Sequence, residues 1–331
     1  MPRKAKEETT YDDGRISFSP PGWLNTGLDI LNYIIGGPSP GLPFGRLIRI
    51  SGPPGVGKSS LAEHIAAEYL KNESGDVLLF EGEGKNHLEG YIKTAFGIAD
   101  LKRLIGYRPP TLGSLWQQIE NLSYEKDEGL WIIDSLSSFG EPDSKENKAG
   151  NMEIKPLTEN QRLGLEAVKN TDVMKRGLYR RIADKKILII SINHLRDSIG
   201  YSGKHEPGGT ANYYQSTIDM RLKSKQVIED KAKDLVLGQD VEIEIVKNMV
   251  GPPFKKAIIP LYYGLGFDNC ESIVNLCIKK GVLFGGGGWW KLENTEDAKK
   301  YRKYEVTKML EEDQLLKREL LKRVLEGGSD E

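Results

Sequence analysis

The sequence predicts an α/β fold: a mainly parallel, twisted sheet with helices on both faces, followed by a small α/β C-terminal lobe. Three observations predict it. The continuous runs Val77–Phe80, Leu130–Ile133 and Ile187–Ile192 have strand length, as strands buried on both faces require. Helix-periodic segments lie between them, so strand alternates with helix from 47 to 192, the pattern of a doubly wound sheet. Leu47-Ile48-Arg49-Ile50 reads as a short strand that leads into a glycine-rich turn and an amphipathic helix.

Taken in order, residues 1–21 read as a flexible tail, polar and charged over the first fourteen. Gly and Pro are dense from Pro20 to Gly45, leaving room for one short helix around 26–35. Leu61, Ala62, Ile65, Ala66, Tyr69 and Leu70 fall at helical spacing and predict a helix over 60–72. Further helices are expected at 86–96, 112–122 and 158–184. Beyond residue 192, Thr217–Leu222, Val241–Lys247 and Lys256–Pro260 alternate more, as antiparallel additions to the sheet edge would. The core is expected to span 22–268 and the lobe 269–331. In the lobe, a helix to Lys280 precedes glycines 285–288, the pair Trp289-Trp290 and one long charged helix to about Leu325. Asp313 with Lys317 and Glu319 with Arg323 stand at i,i+4 on that helix.

Composition bounds the function. With 331 residues, 38% of them hydrophobic, the chain can bury a core and is not a disordered polymer. Lys and Arg number 47 against 48 Asp and Glu, which excludes a globally basic nucleic-acid binder and leaves only a local patch. No apolar run approaches the roughly 20 residues of a membrane span. The front end has no apolar segment of secretory type, so a cytoplasmic protein is expected, with no membrane partner. Cys270 and Cys277 are the two cysteines. About two helical turns apart, they are too distant for a disulfide and read as buried small hydrophobes.

Gly52-Pro53-Pro54-Gly55-Val56-Gly57-Lys58-Ser59 fits G-x-x-x-x-G-K-[ST] in full, with a strand before it and a helix, from Ser60 on, after it. Glycines let successive N–H groups turn toward phosphate oxygens, and the helix N-terminus adds partial positive charge. Lys58 is the residue to reach the β- and γ-phosphates, and Ser59 to ligate Mg²⁺. Asp134 ends the apolar strand Leu130–Ile133 and is the expected second carboxylate of the metal side. Glu81 and Glu83 follow strand Val77–Phe80. Two acids two residues apart leave an extended chain on the same side, and either can orient the water that attacks a γ-phosphate. Spacing alone leaves both open.

These residues, together with LLFEGEG at 78–84, LWIIDSLSS at 130–138, IISINHLRDSIG at 189–200, EPGGTANYY at 206–214, IVKNMVGPPFKKA at 245–257 and YYGLGFD at 262–268, resemble a RecA-type homologous recombinase over roughly residues 22–300. The phosphate-loop motif is generic; the order of the other blocks is what resembles recombinases, of a phage or divergent kind. The resemblance implies a RecA-like core with ATP and Mg²⁺. It prefers Glu83 as catalytic glutamate, beside the catalytic Lys58, and places Ser135 after Asp134. His194 stands where bacterial relatives carry a γ-phosphate-sensing glutamine; histidine can donate the same hydrogen bond, with a charge that varies with pH. Tyr91 is the residue to stack on adenine.

Two loops, near 140–160 and 195–210, are implied to line DNA. The first holds Lys145, Lys148 and Lys155; the second holds Arg196, Ile199, Tyr201, Lys204, Gly208 and Gly209. Lys169 and Arg176 resemble phosphate contacts in the intervening helix, and the run Lys175–Arg181 is locally basic. Lys247 resembles the lysine that reaches the neighbouring protomer's ATP, but the family's second lysine is Met249 here. About twenty polar residues precede Trp23 where bacterial relatives have a docking helix, so filament contacts are expected elsewhere, for example near Tyr213-Tyr214. The implied function is an ATP-dependent DNA recombinase, a DNA-dependent ATPase. It would polymerise as a helical filament on single-stranded DNA, pair it with double-stranded DNA and meet single-strand-binding and mediator proteins. A recombination mediator without strand exchange and a hexameric helicase-like motor are the rival readings.

Overall fold

The computed structural model describes residues 19–37, 41–84, 88–139, 144–146, 152–154, 177–194, 196–197, 204–205, 215–230 and 232–326. Its centre is a nine-stranded sheet. The strands are β1 (Arg46–Gly52), β2 (Val77–Glu81), β3 (Leu104–Tyr107), β4 (Glu128–Asp134), β5 (Lys186–His194), β6 (Ile218–Asp230), β7 (Leu235–Asn248), β8 (Lys256–Tyr262) and β9 (Gly266–Phe267). Their spatial order is β9-β8-β7-β6-β1-β5-β4-β2-β3. From β6 to β3 every neighbouring pair is parallel; from β6 to β9 every pair is antiparallel.

The helices are α1 (Asp29–Gly36), α2 (Lys58–Asn72), α3 (Leu88–Phe96), α4 (Leu112–Glu125) and α5 (Leu178–Ile182). Because successive strand residues face opposite sides, the apolar runs feed two cores. Ile48, Ile50, Leu130, Ile132, Leu188 and Ile190 pack with Leu61, Ala62, Ile65 and Ala66 of α2. Leu47, Leu78, Phe80, Trp131, Ile133, Ile187 and Ile189 pack on the other face with Leu115, Trp116 and Ile119 of α4 and with Leu178 and Ile182 of α5. Helices therefore cover both faces, as the unbroken apolar runs predict. Helix α4 begins at a capping box in which Thr111 and Ser114 satisfy each other's backbone N–H groups.

Two expectations at the sheet edges are corrected. β6 is not wholly an antiparallel addition: Ile218–Arg221 pair in parallel with Ile48–Ser51 of β1, and only the other side of β6 is antiparallel, to β7. Alternation of polarity does not distinguish these pairings. Strand β3, short and half-exposed, carries no long apolar run and was not predicted.

After β9 come α6 (Asn269–Lys279), a three-stranded sheet of β10 (Phe284–Gly286), β11 (Trp289–Lys291) and β12 (Tyr301–Arg302), then α7 (Lys303–Glu312) and α8 (Gln314–Glu326). The single long helix expected here is two helices. Asp313 breaks it: its carboxylate accepts from the N–H groups of Leu315 and Leu316 and starts α8. Lys317 consequently pairs with Asp29 of α1, at 2.8 Å, rather than with the side chain of Asp313. Glu319 and Arg323 do pair. Cys270 and Cys277 are buried free thiols, in one apolar cluster with Ile34 and Ile35 of α1, Ile259 of β8 and Leu310, Leu320 and Val324 of α7 and α8. Among the described residues, no helix is long and apolar enough to cross a membrane.

Candidate nucleotide site

Parallel strands all point the same way, so their C-terminal ends deliver side chains to one edge of the sheet. Gly52 at the end of β1 is registered with His194 at the end of β5. Asp134 at the end of β4 is registered with Glu81 at the end of β2. The glycine loop, the metal-side aspartate, the histidine and the acidic turn are thus gathered by topology from four adjacent strands.

The loop from Gly52 to Gly57 joins β1 to α2. Gly55 and Gly57 are left-handed, with φ of +73° and +92°, which glycine adopts without cost. A Cβ at Gly57 would lie 2.6 Å from Leu261 Cδ2 of β8. Lys58, the first residue of α2, is buried, and its Nζ donates to the Pro53 carbonyl at 2.7 Å. Ser59 and Ser60 follow in the first turn of α2.

The two glutamates part company. The extended chain ends at Glu81, so they do not leave on the same side as expected. Glu81 is 7% exposed; it accepts from Arg108 Nε at 3.0 Å, on the β3 side, and from the Glu83 N–H at 2.8 Å. Gly82 donates its N–H to the Asp134 carbonyl at 3.0 Å. A Cβ there would lie 3.0 Å from the Phe139 ring. This turn sends Glu83 toward β4 and β5, where Oε1 accepts from Ser135 Oγ at 2.8 Å and from His194 Nε2 at 2.7 Å. Glu83, Ser135 and His194 are therefore one hydrogen-bonded cluster at the strand ends.

Three residues near the site escaped the sequence reading. Arg108 pairs with Glu81. Gln239 of β7 donates to the Gly55 carbonyl at 2.8 Å. Glu63 stands one turn beyond Ser59 on α2; burial, with the Asp134 charge nearby, pushes its carboxyl up to about 7. The i,i+4 spacing of Ser59 and Glu63 was the available signal for the last. The Ser59 hydroxyl and Asp134 carboxylate are hard oxygen donors, which fit a Mg²⁺ ion that keeps waters and phosphate oxygens as its other ligands. No group of three or more His, Cys, Asp or Glu able to hold a metal occurs among the described residues, so a protein-only cage is not what they offer.

Other predicted residues are placed differently. Tyr91 of α3 packs edge-on against Phe96 at 5.7 Å, and its buried hydroxyl lies where a Cβ at Gly266 would come within 2.5 Å. Lys247 is registered with Asp219, whose carboxylate receives Arg49 Nε at 3.1 Å and Arg49 Nη2 at 2.6 Å. Burial lowers the pKa of Lys247, against the pull of Asp219. Arg181 belongs to the scaffold, donating to Glu120 at 3.1 Å and Ser123 at 3.0 Å. Arg196 begins a two-residue ladder with Lys204–His205, and Lys145 lies in a three-residue ladder with Met152–Ile154. Lys169, Arg176, Ile199, Tyr201, Gly208 and Gly209 lie outside the described residues, as do Lys148, Lys155, Tyr213 and Tyr214.

Comparison with known proteins agrees with this architecture. Residues 23–268 match the model of the RecA N-terminal domain. Protein RecA of Lactobacillus delbrueckii subsp. bulgaricus is 30% identical over 275 residues, covering 79% of this chain and 77% of that protein. Protein RecA of Chloroherpeton thalassium is 27% identical over 319 residues, covering 93% and 84%. That of Chlorobaculum tepidum is 27% identical over 304 residues, covering 91% and 82%. With the domain match spanning the sheet from before the phosphate loop to β9, the chain belongs to the RecA family, whose members act in DNA recombination and repair as ATP- and DNA-binding ATPases.

Proposed function

We propose that the chain is an ATP-dependent DNA recombinase that polymerises on single-stranded DNA and promotes homologous pairing and strand exchange. The observation that carries the reading is the Glu83–His194–Ser135 cluster beside the phosphate loop. Lys58 and the loop N–H groups bind the triphosphate. Ser59 and Asp134 hold Mg²⁺, which supplies charge neutralisation on the phosphates when bound. Glu83 orients and deprotonates the attacking water. His194 donates to Glu83 in the described state; a γ-phosphate competes for that donor and so signals into residues 195–210. Lys247 reaches the nucleotide of a neighbouring protomer, and Tyr91 borders the base.

DNA contacts fall to the segments near 140–160 and 195–210, with Lys169, Arg176, Arg196, Ile199, Tyr201, Gly208 and Gly209. Pairing between strands, not side-chain readout, supplies sequence specificity. The tail 1–21, core 22–268 and lobe 269–331 form one protomer of a cytoplasmic filament, served by single-strand-binding and mediator proteins. Met249, exposed at 69% where the family resemblance expects a lysine, favours a second reading, a mediator that binds DNA without exchange.

A strand-exchange assay with ATP, run beside Glu83→Gln, tests the proposal. Joint molecules from the wild type, and paired but non-hydrolysing complexes from the variant, are expected. DNA-stimulated hydrolysis without joint molecules would favour the mediator. No nucleotide-dependent binding to oligonucleotides would sink both readings.

A further inference from the structure

The Gly55–Val56 peptide, at the apex of the phosphate loop, is held from outside. Gln239 of β7 is 6% exposed, and its Nε2 donates to the Gly55 carbonyl at 2.8 Å. Its register partner on β8 is Leu261. Directly opposed residues share a sheet face, and Leu261 presses on the same loop at Gly57. Two neighbouring strands of the antiparallel edge thus each place one side chain against a left-handed glycine of the loop.

The sequence gives this peptide unusual weight. Pro53 and Pro54 have no N–H, so the loop's inward donors begin at Gly55. In a planar trans peptide the C=O and N–H point in opposite directions. A donor that draws the Gly55 carbonyl outward therefore turns the Val56 N–H inward. Gly55 has nothing within 4 Å of its Cβ position, so on the Gly55 side the hydrogen bond from Gln239 is the contact that acts on this peptide. A flip of the peptide would aim a carbonyl oxygen at the triphosphate.

We propose that Gln239 is a positioning residue for triphosphate binding: it fixes the Gly55–Val56 peptide so that the Val56 N–H faces the phosphates. This rests on the nucleotide reading of the loop given above. It also gives the antiparallel edge a direct hold on the phosphate loop of the same protomer, through the body of β7.

The test compares the full-length wild type with Gln239→Met, which keeps length and removes the donor, and Gln239→Glu, which keeps shape but only accepts when ionised. ATP affinity with Mg²⁺, KM and kcat of DNA-stimulated hydrolysis, and melting without nucleotide are measured. Gln239→Met is expected to raise Kd and KM about 5- to 10-fold, the order expected for one hydrogen bond, with kcat within about two-fold and melting lowered by no more than a few degrees. Gln239→Glu is expected to bind more weakly still at pH 8. Relative to wild type it should recover as pH falls toward 5, because the protonated carboxyl regains an O–H donor. ATP binding by both variants within about two-fold of wild type at pH 8 overturns the proposal. So does loss of kcat and melting in proportion to affinity, which would mark a merely structural residue. If the Met variant does not fold, the pH profile of the Glu variant decides: recovery supports the proposal, a flat ratio to wild type overturns it. A wild type that binds no ATP would instead remove the nucleotide reading itself.

Discussion

The two halves of the sheet carry their polar residues in different places. In β1, β5, β4 and β2 the strand bodies are mainly apolar, with buried Arg49 of β1 the charged exception, and the candidate site residues stand at their ends: Gly52, His194, Asp134 and Glu81 with its neighbour Glu83. In β6 and β7 charge and polarity sit within the strands, as Asp219, Glu242 and Gln239, all buried. The first half works by where each strand stops. The second works by which side chains the pairing register brings together, and it acts on the site by supporting it: Asp219 holds Arg49 of β1, and Gln239 holds Gly55.

The comparison breaks most visibly at Asp219. Arg49 and Asp219 are 1% and 0% exposed. Asp219→Ala takes both carboxylate hydrogen bonds from a buried guanidinium, a change that costs about 3–5 kcal/mol when one partner of a buried pair is lost. Replacing both residues together, as Arg49→Met with Asp219→Leu, should restore much of that. Urea unfolding of the two variants measures it. A loss under about 1 kcal/mol for Asp219→Ala would mean that the edge is not held at this point.

At the strand ends the expected effect is on rate. Glu83→Gln keeps an acceptor for Ser135 and His194 but removes the proposed base, so hydrolysis should fall about 10²- to 10³-fold while ATP affinity changes by no more than a few-fold. Single-turnover hydrolysis beside nucleotide titration separates the two. Near wild-type turnover would remove Glu83 from the reaction.

The same contrast explains what was legible in the residue order. Unbroken apolar runs announce buried parallel strands, and residues that end such runs, or interrupt them with glycine, announce themselves as site candidates. Asp134, Lys58 and Ser59 stand out as candidates for that reason. The separation of Glu81 from Glu83 was not legible, because it depends on a turn at Gly82 packed under Phe139, more than fifty residues away in the chain. Gln239 is an ordinary polar residue in an alternating strand; only the register of β7 beside β8 puts it over the loop. The break at Asp313 was masked by helix-forming residues on both sides, and β3 by its half-exposed, mixed composition.

A smaller, pH-dependent effect lies on the buried flank of α2. Both ring nitrogens of His64 are buried without a hydrogen-bond partner, against Phe96 and Phe267. Burial, with the Lys71 charge, holds its pKa down at about 4. The unfolded chain therefore takes up this proton first. The contribution to stability is intact above pH 6.5 and is lost as pH falls toward 4, to the extent of roughly 2–3 kcal/mol. His64→Leu removes the titration. Between pH 7 and pH 4 the wild type should lose that much more stability than the variant, read from parallel denaturation series. Equal losses would show that the imidazole finds a partner as it charges.

The least effect is expected from the other glutamate. Arg108 is 59% exposed, so its pairing with Glu81 is screened by solvent and of the order of 1 kcal/mol or less. Glu81→Gln still offers an oxygen to the Glu83 N–H, and the turn at Gly82 keeps its own bond to Asp134. Hydrolysis should therefore stay within about three-fold of wild type, with slightly stronger salt dependence in the wild type than in the variant. A loss as large as that of Glu83→Gln would move the base from one glutamate to the other. The water would then have to be held on the β3 side of the sheet edge, away from His194, and the histidine could no longer couple hydrolysis to the segment that follows it.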